Sequence, residues 1–236
     1  VHLVGRSFKY HRPRGIMTSG SEEPNAIVQV NPGTNRTEPN VRATEVEIYE
    51  GLEASSQNCW PSVEFDIGGI NNFLSPFFPA GFYYKTFMWP ASFWEKYEFF
   101  IRHSAGLGKS PTSTDPDIYD HRNIHCDVLV VGAGISGILA AKNAAKNNFK
   151  TLLVDEKNEL GGSTIYENNE FNKIDNKAPS EWLKKEIEEL KNIKNLEIKT
   201  RTSVAAYHQY NYLLARENLT DHLEAKDKTN KIRQRL

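Results

Sequence analysis

The chain has 236 residues, with 29 Lys and Arg against 30 Asp and Glu and a pI near 6.7. That balance excludes the basic surplus of a nucleic-acid binder, and no run reaches the roughly 18 apolar residues of a membrane span. Two cysteines, Cys59 and Cys126, are too few for a disulfide framework and fit a reducing cytoplasm. The start, VHLVGRSFKYHRPRG, lacks the apolar core of a signal peptide. Val1 in place of Met, and a final KIRQRL without a helix cap or polar tail, predict a piece of a longer protein.

In chain order, SEEPNAIVQV (21–30) predicts a turn and then a strand with Ile27, Val28 and Val30. RATEVEIYEGLEASSQN (42–58) predicts a second strand at VEIY. Short strands separated by turns imply a small β-rich, β-grasp-like unit over residues 1–58, incomplete at its start. His11, Arg12 and Arg14 form a basic cluster that reads as solvated or partner-facing surface.

Residues 59–122 form an aromatic-rich connecting segment. The 28 residues from Phe73 to Phe100 hold 13 of the chain's 26 Phe, Trp and Tyr. Pro76, Pro79, Gly81 and Pro90 break this stretch into short pieces until about Ser92. From there SFWEKYEFFIRHSAGLG predicts a helix with Phe93, Tyr97, Phe100 and Ile101 at helical spacing. These rings read as a core between domains, and beyond that as contacts with another chain, because aromatics dominate interface hot spots. Lys85 among the rings could face a flavin or an anionic ligand. For His121, His125 and Cys126 the metal geometry is poor, because Cys126 enters a buried strand and no fourth ligand is evident; the histidines read as linker residues, so no metal site is expected.

Residues 123–236 predict a doubly wound α/β domain. DVLVV (127–131) is a buried-strand run, followed by G-x-G-x-x-G as Gly132, Gly134 and Gly137. A helix is expected from about Ser136 to Asn147, then a second strand, TLLVD (151–155). In this pattern the first glycine makes the tight turn. The second lets backbone approach a pyrophosphate, and the third lets helix pack on strand. The helix N-terminus, with Ile135 and Ser136, offers free N–H groups and a partial positive charge. An acid about 20 residues on accepts from both ribose hydroxyls. Asp155, followed by Glu156, lies 18 residues beyond Gly137 and disfavours a 2′-phosphate, so NAD or FAD is expected rather than NADP. Gly161, Gly162 and Ser163 complete the candidate site.

Farther on, PSEWLKKEIEELKNIKN predicts an amphipathic helix capped by Ser180. Its apolar stripe is Trp182, Leu183, Ile187 and Leu190, and Glu181–Lys185 is a predicted i,i+4 pair. From Leu196 a strand and an extended piece follow, in which His208 and Tyr210 read as packing residues. No acid/base pair or nucleophile set is evident, so the catalytic residues are unassigned.

Three resemblances attach to these motifs. The E-x-x-x-x-G-G run of Glu156 to Gly162 resembles flavoproteins of the two-dinucleotide superfamily. GRSFKYHRPRGI is similar to ferredoxin-like [2Fe–2S] modules appended to bacterial amine oxidases and dehydrogenases. The cysteines of those modules fall here on Thr18, Glu23 and Ala26, which predicts the module without an iron–sulphur cluster. YYKTFMWP, W-E-x-x-Y-E-x-x-I-R, AGLG, the D-P-D-x-Y-D-x-R linker and VAAYHQYNYLLARENLTDHL resemble the alpha subunits of heterotetrameric sarcosine oxidases.

That resemblance implies an FAD/NAD(P)-binding Rossmann-like domain behind an incomplete β-grasp module. It implies one subunit of an oxidoreductase acting on CH–NH donors, which converts sarcosine to glycine with hydrogen peroxide as product. With tetrahydrofolate the one-carbon unit becomes 5,10-methylenetetrahydrofolate. The partners implied are beta, gamma and delta subunits, with FAD and FMN in beta and NAD on the present chain. Two alternatives stay open: an FAD-binding subunit of a related amine, amino-acid or opine dehydrogenase, and a non-catalytic structural subunit.

Overall fold

In a computed structural model, residues 27–57, 59–62, 64–74, 77, 86–166 and 172–236 are described. The GRSFKYHRPRGI run with His11, Arg12 and Arg14, the positions Thr18, Glu23 and Ala26, and Lys85 lie outside them. The chain divides into two compact units. One comprises Val1–Pro116 with His222–Lys226, the other Asp117–Asp221 with Asp227–Leu236.

In the first unit β1 (Ile27–Val30) is the central strand. It pairs antiparallel with β2 (Glu38–Arg42) on one side and β3 (Ala54–Ser56) on the other. The turn after β1 is knotted by Asn31, whose carbonyl accepts from the hydroxyls of Thr34 and Thr37 at 2.9 and 2.8 Å. VEIY, expected as the second strand, is not one. Its place is taken by β2, where Pro39 is tolerated because an edge strand can spare one N–H. Ile48 of VEIY is left exposed.

α1 (Trp94–Ser104) begins after Pro90 and one 3-10 turn, Ala91–Phe93. Pro90 fixes where it can start. It ends at Gly106, whose positive φ allows the Leu107 N–H to reach the Arg102 carbonyl at 3.0 Å. Among the described residues its apolar stripe is only partly covered, at Tyr97 and Ile101. Trp94 is 54% and Phe100 66% exposed, and Trp89, Phe93 and Phe99 are exposed as well. The rings touch one another, Phe87 against Tyr97 at 5.2 Å and Phe99 against Phe100 at 5.6 Å.

The second unit is built on a parallel sheet of order β5-β6-β7: β5 (Val128–Val131), β6 (Thr151–Val154) and β7 (Leu196–Lys199). β6 is central and buried throughout, as a parallel strand covered on both faces must be. α2 (Ile135–Lys146) links β5 to β6, and α3 (Pro179–Lys191) lies between β6 and β7. The core joins Ala133, Ile138 and Ala141 to Leu153, Leu160, Trp182, Leu183 and Leu190. Alanines on α2 keep that face narrow enough for the helix to lie close. Between the helices, Lys142 reaches Glu186 at 2.6 Å and Glu189 at 2.7 Å.

α3 starts one residue before the expected cap. Ala178 is its N-cap without a side-chain bond, and Pro179, with its φ already helical, occupies N1. The expected Glu181–Lys185 pair gives way to Lys177–Glu181 at 3.7 Å and Lys185–Glu189 at 3.5 Å.

A second sheet has the order β4-β10-β9-β8: β4 (Ile118–Asp120), β8 (Thr202–His208), β9 (Tyr212–Asn218) and β10 (Ile232–Arg235). β4 falls within the stretch read as a linker, and it pairs parallel with β10. The pairing is reinforced by charge: Arg233 bonds Asp117 at 2.9 Å and Asp221 at 2.7 Å, and Arg235 bonds Asp120 at 2.9 Å. β8 and β9 form a hairpin closed by Tyr210 and Asn211 at positive φ. At the tip of that turn Tyr210 is 99% exposed; His208 is exposed too, with its ring 5.9 Å from that of Tyr212.

Candidate dinucleotide site

The glycine-rich loop leaves β5 at its carboxyl end, where parallel α/β sheets bind ligands. Gly132 has φ +93, which a residue with a Cβ adopts only under strain. A Cβ on Gly137 would overlap the Gly132 carbonyl oxygen, so α2 approaches the strand only because residue 137 has no side chain. A Cβ on Gly134 would meet nothing within 4 Å. Space at the centre of the loop is therefore open, as backbone contact with a phosphate requires. Ile135 begins α2 half-buried against the core, while Ser136 is exposed. The first amides of α2 have no carbonyl four residues earlier within the helix to bond.

The loop is braced from two sides. Asp155 is buried at the end of β6, and its Oδ2 accepts the Ala133 N–H at 2.5 Å. Its Oδ1 accepts the Lys157 N–H at 2.8 Å. Its own backbone is fixed as well: the N–H donates to the Lys199 carbonyl at 3.0 Å, and the carbonyl accepts from Thr202 N–H at 2.7 Å. A carboxylate offers about four lone-pair sites. Two remain for ribose hydroxyls after the two backbone donors are served.

From the other side, the Gly161 N–H donates to the Ala133 carbonyl at 2.7 Å. A Cβ on Gly162 would lie 3.2 Å from the Gly134 Cα. The structure thus brings 132–137, Asp155 and Gly161–Gly162 into one construction. Glu156 and Ser163 stand at its exposed margin.

Two residues at that margin were not singled out from sequence. Lys157 and Tyr166 meet, with the Lys157 ammonium 5.7 Å from the ring centroid. The only advance signal was a cation directly after the Asp155-Glu156 pair. Elsewhere in this unit, burial pushes the Cys126 thiol up, which disfavours the thiolate. Among the described residues no group of three or more His, Cys, Asp or Glu could hold a metal ion. No helix among them is long and apolar enough to cross a membrane.

Comparison with known proteins bears on this site and on the N-terminal module. Residues 127–224 match the family described as FAD dependent oxidoreductase, and residues 1–59 match the 2Fe-2S iron-sulfur cluster binding domain. The matches are thus to a flavoprotein-type oxidoreductase domain and, ahead of it in the chain, to a ferredoxin-like module.

Along nearly all of its length the chain is similar to sarcosine oxidase alpha subunits. It is 50% identical to that of Rhizobium meliloti (strain 1021), over 94% of this chain and 22% of the relative. It is 30% identical to that of Corynebacterium sp. (strain U-96), over 100% of this chain and 20% of the relative. The subunit from Corynebacterium sp. (strain P-1) is 30% identical over 98% of this chain and 19% of the relative. The chain spans about a fifth of the length of the curated relatives it matches.

The match of residues 1–59 corrects the expectation of no iron–sulphur cluster. That expectation came from cysteine counting at Thr18, Glu23 and Ala26. Counting tests one ligand spacing, whereas the module is carried by the pattern of the whole segment.

Proposed function

We propose that this chain is part of the alpha subunit of a multisubunit, cytoplasmic flavoenzyme that oxidatively demethylates sarcosine to glycine. Hydrogen peroxide would be the product of reoxidation, and 5,10-methylenetetrahydrofolate would form when tetrahydrofolate is present. Its beta, gamma and delta partners would carry the amine chemistry. The role of this chain is to bind an adenine dinucleotide at Gly132, Gly134, Ile135, Ser136, Gly137, Asp155, Glu156, Gly161, Gly162 and Ser163. The observation that carries this reading is the loop braced by Asp155 and Gly161 at the carboxyl end of β5. It is supported by the similarity to sarcosine oxidase alpha subunits over 94% of the chain.

The dinucleotide, when bound, supplies two-electron hydride chemistry. The amides at the start of α2 would hold its pyrophosphate, and Asp155 its ribose hydroxyls. The open space over Gly134 fits such a group. NAD is the nucleotide implied by the resemblance. FAD in the same site is the second reading, favoured by the match of residues 127–224.

The test is acid extraction of bound nucleotide from the full-length subunit, purified alone and with its partners, identified by mass and absorbance. NAD on the subunit with flavin in the partners supports the first reading. Stoichiometric FAD on the subunit alone supports the second. The absence of nucleotide from both preparations would overturn both.

A further inference from the structure

The dinucleotide site has one wall that neither its glycines nor its acids account for. Lys157 follows Asp155 by two residues, and its backbone N–H is tied to the Asp155 carboxylate. Its backbone therefore lies beside the carboxylate proposed to hold a ribose. Tyr166 ends the short helical turn Gly162–Tyr166, which begins at the glycine packed on Gly134. The two segments that brace the loop thus each send one side chain to a common point, where the Lys157 ammonium lies 5.7 Å from the Tyr166 ring. The turn itself is anchored from beneath: Thr164 is buried and its N–H donates to the Gly161 carbonyl. Even so, Tyr166 is 72% exposed. A large ring at the end of a turn with a buried anchor, beside the Lys157 ammonium and open to water, has the form of a stacking platform.

We infer that Tyr166 is a binding residue for the adenine base of the dinucleotide, with Lys157 a positioning residue that holds the ring. This rests on the dinucleotide reading of the site. Every base has a π-face, and an aromatic ring gains contact with it without hydrogen-bond readout. The ligand class is any nucleotide with an adenosine half, so the platform would serve NAD, FAD or ADP-ribose alike. A cation on one ring face strengthens the platform's orientation and leaves the other face for the base.

The experiment uses the full-length subunit in its assembly, stripped of nucleotide, with calorimetric dissociation constants for ADP-ribose, AMP and FMN. By the usual worth of base–aromatic stacking, Tyr166→Ala is expected to weaken ADP-ribose and AMP about tenfold. Tyr166→Phe restores both, because the ring and not the hydroxyl does the work. Lys157→Met weakens them a few-fold. FMN, which lacks adenine, is unaffected by all three.

Gly137→Val separates this inference from the reading it rests on. Loss of ADP-ribose binding in Gly137→Val, together with unchanged binding in Tyr166→Ala, would overturn the platform and leave the site. Unchanged ADP-ribose binding in Gly137→Val, or none in the wild type, would overturn both.

Discussion

α1 and α3 present the same signal and meet opposite ends. Each carries a tryptophan and further large apolar residues at helical spacing. On α3, Trp182 is 2% exposed and sits among Leu183, Leu190 and residues of α2 and β6. On α1, Trp94 is 54% and Phe100 66% exposed, and the Phe100 ring has that of Phe99 beside it at 5.6 Å. Apolar periodicity records that a face is meant to be covered. What covers it is a separate matter, decided for α3 inside its own unit. Exposed large rings in such number fit a face that is covered by something beyond the described residues. Under the proposed function, partner subunits would supply that cover.

The largest test of this contrast removes a tryptophan from the covered helix. Trp182→Ala should cost about 3–5 kcal/mol, the usual range for deleting a buried aromatic side chain. The cost includes the cavity and the lost bond from the indole N–H to Asp175 at 3.2 Å. Urea unfolding of the subunit would measure it. A cost below 1 kcal/mol would mean that α3 is not held where the core places it.

The matching change on the open helix should behave in reverse. Trp94→Ser with Phe100→Ser should alter the subunit's own stability by less than about 0.5 kcal/mol, as surface changes do. Association with the partner subunits should weaken by about 2 kcal/mol or more if these rings are interface anchors. Sedimentation of the mixed subunits reads the second effect and denaturation of the isolated subunit the first. A large loss of intrinsic stability would place α1 in a core of the full-length subunit instead.

Within the covered region, one of the two braces of the nucleotide loop is a carboxylate, Asp155. Asp155→Asn keeps the shape of the side chain but can no longer present two anionic acceptors to the amides of Ala133 and Lys157. Hydrogen bonds to a charged group are worth about 1.5–3 kcal/mol. Loosening of the loop is therefore expected to weaken ADP-ribose by about thirtyfold. The same variant should leave the exposed helix and partner association unchanged, and titration of both affinities checks the separation.

The parts legible in the sequence were those governed by local sterics. Gly132, Gly137 and the apolar run of β6 announce strand, turn and helix because few other residues tolerate those positions. The meeting of Gly161–Gly162 with Gly134 was legible only as a recurring pattern. Sequence offered no reason for the Asp155–Ala133 bond, which spans 22 residues. VEIY failed because strand preference in a short segment yields to which edge is available for pairing. β4 was missed because it is three residues long and its partner, β10, lies more than a hundred residues away. Ligand counting failed for the N-terminal module because it asked about three side chains and not about the segment.

The smallest expected effect concerns charge, and it again separates the two helices. Lys142 joins α2 to α3 through Glu186 and Glu189. Burial would pull the Lys142 ammonium down, but its bonds to those carboxylates outweigh burial and hold it above its ordinary value. The bond from Lys142 in turn holds the Glu189 carboxyl below the ordinary range. A raised lysine contributes stability that is fully present below its unfolded value, about 10.4, and lost as pH rises through the folded value. A lowered carboxyl contributes stability present above its unfolded value, about 4.3, and lost as pH falls through the folded one. Lys142→Met should therefore cost most on the plateau between these limits, about 1–2 kcal/mol, because it leaves Glu186 buried without its cation. The figure lies below the fully buried range because Lys142 retains some solvent. Wild type and variant should converge at both pH extremes in urea titrations. On α1, the Glu98–Arg102 pair lies on one helix with Glu98 half exposed. Glu98→Gln should cost no more than about 0.5 kcal/mol, the worth of a pair four residues apart on one helix. A larger cost for Glu98→Gln than for Lys142→Met would mean that solvent reaches α3 and is excluded from α1, the reverse of the arrangement in this structure.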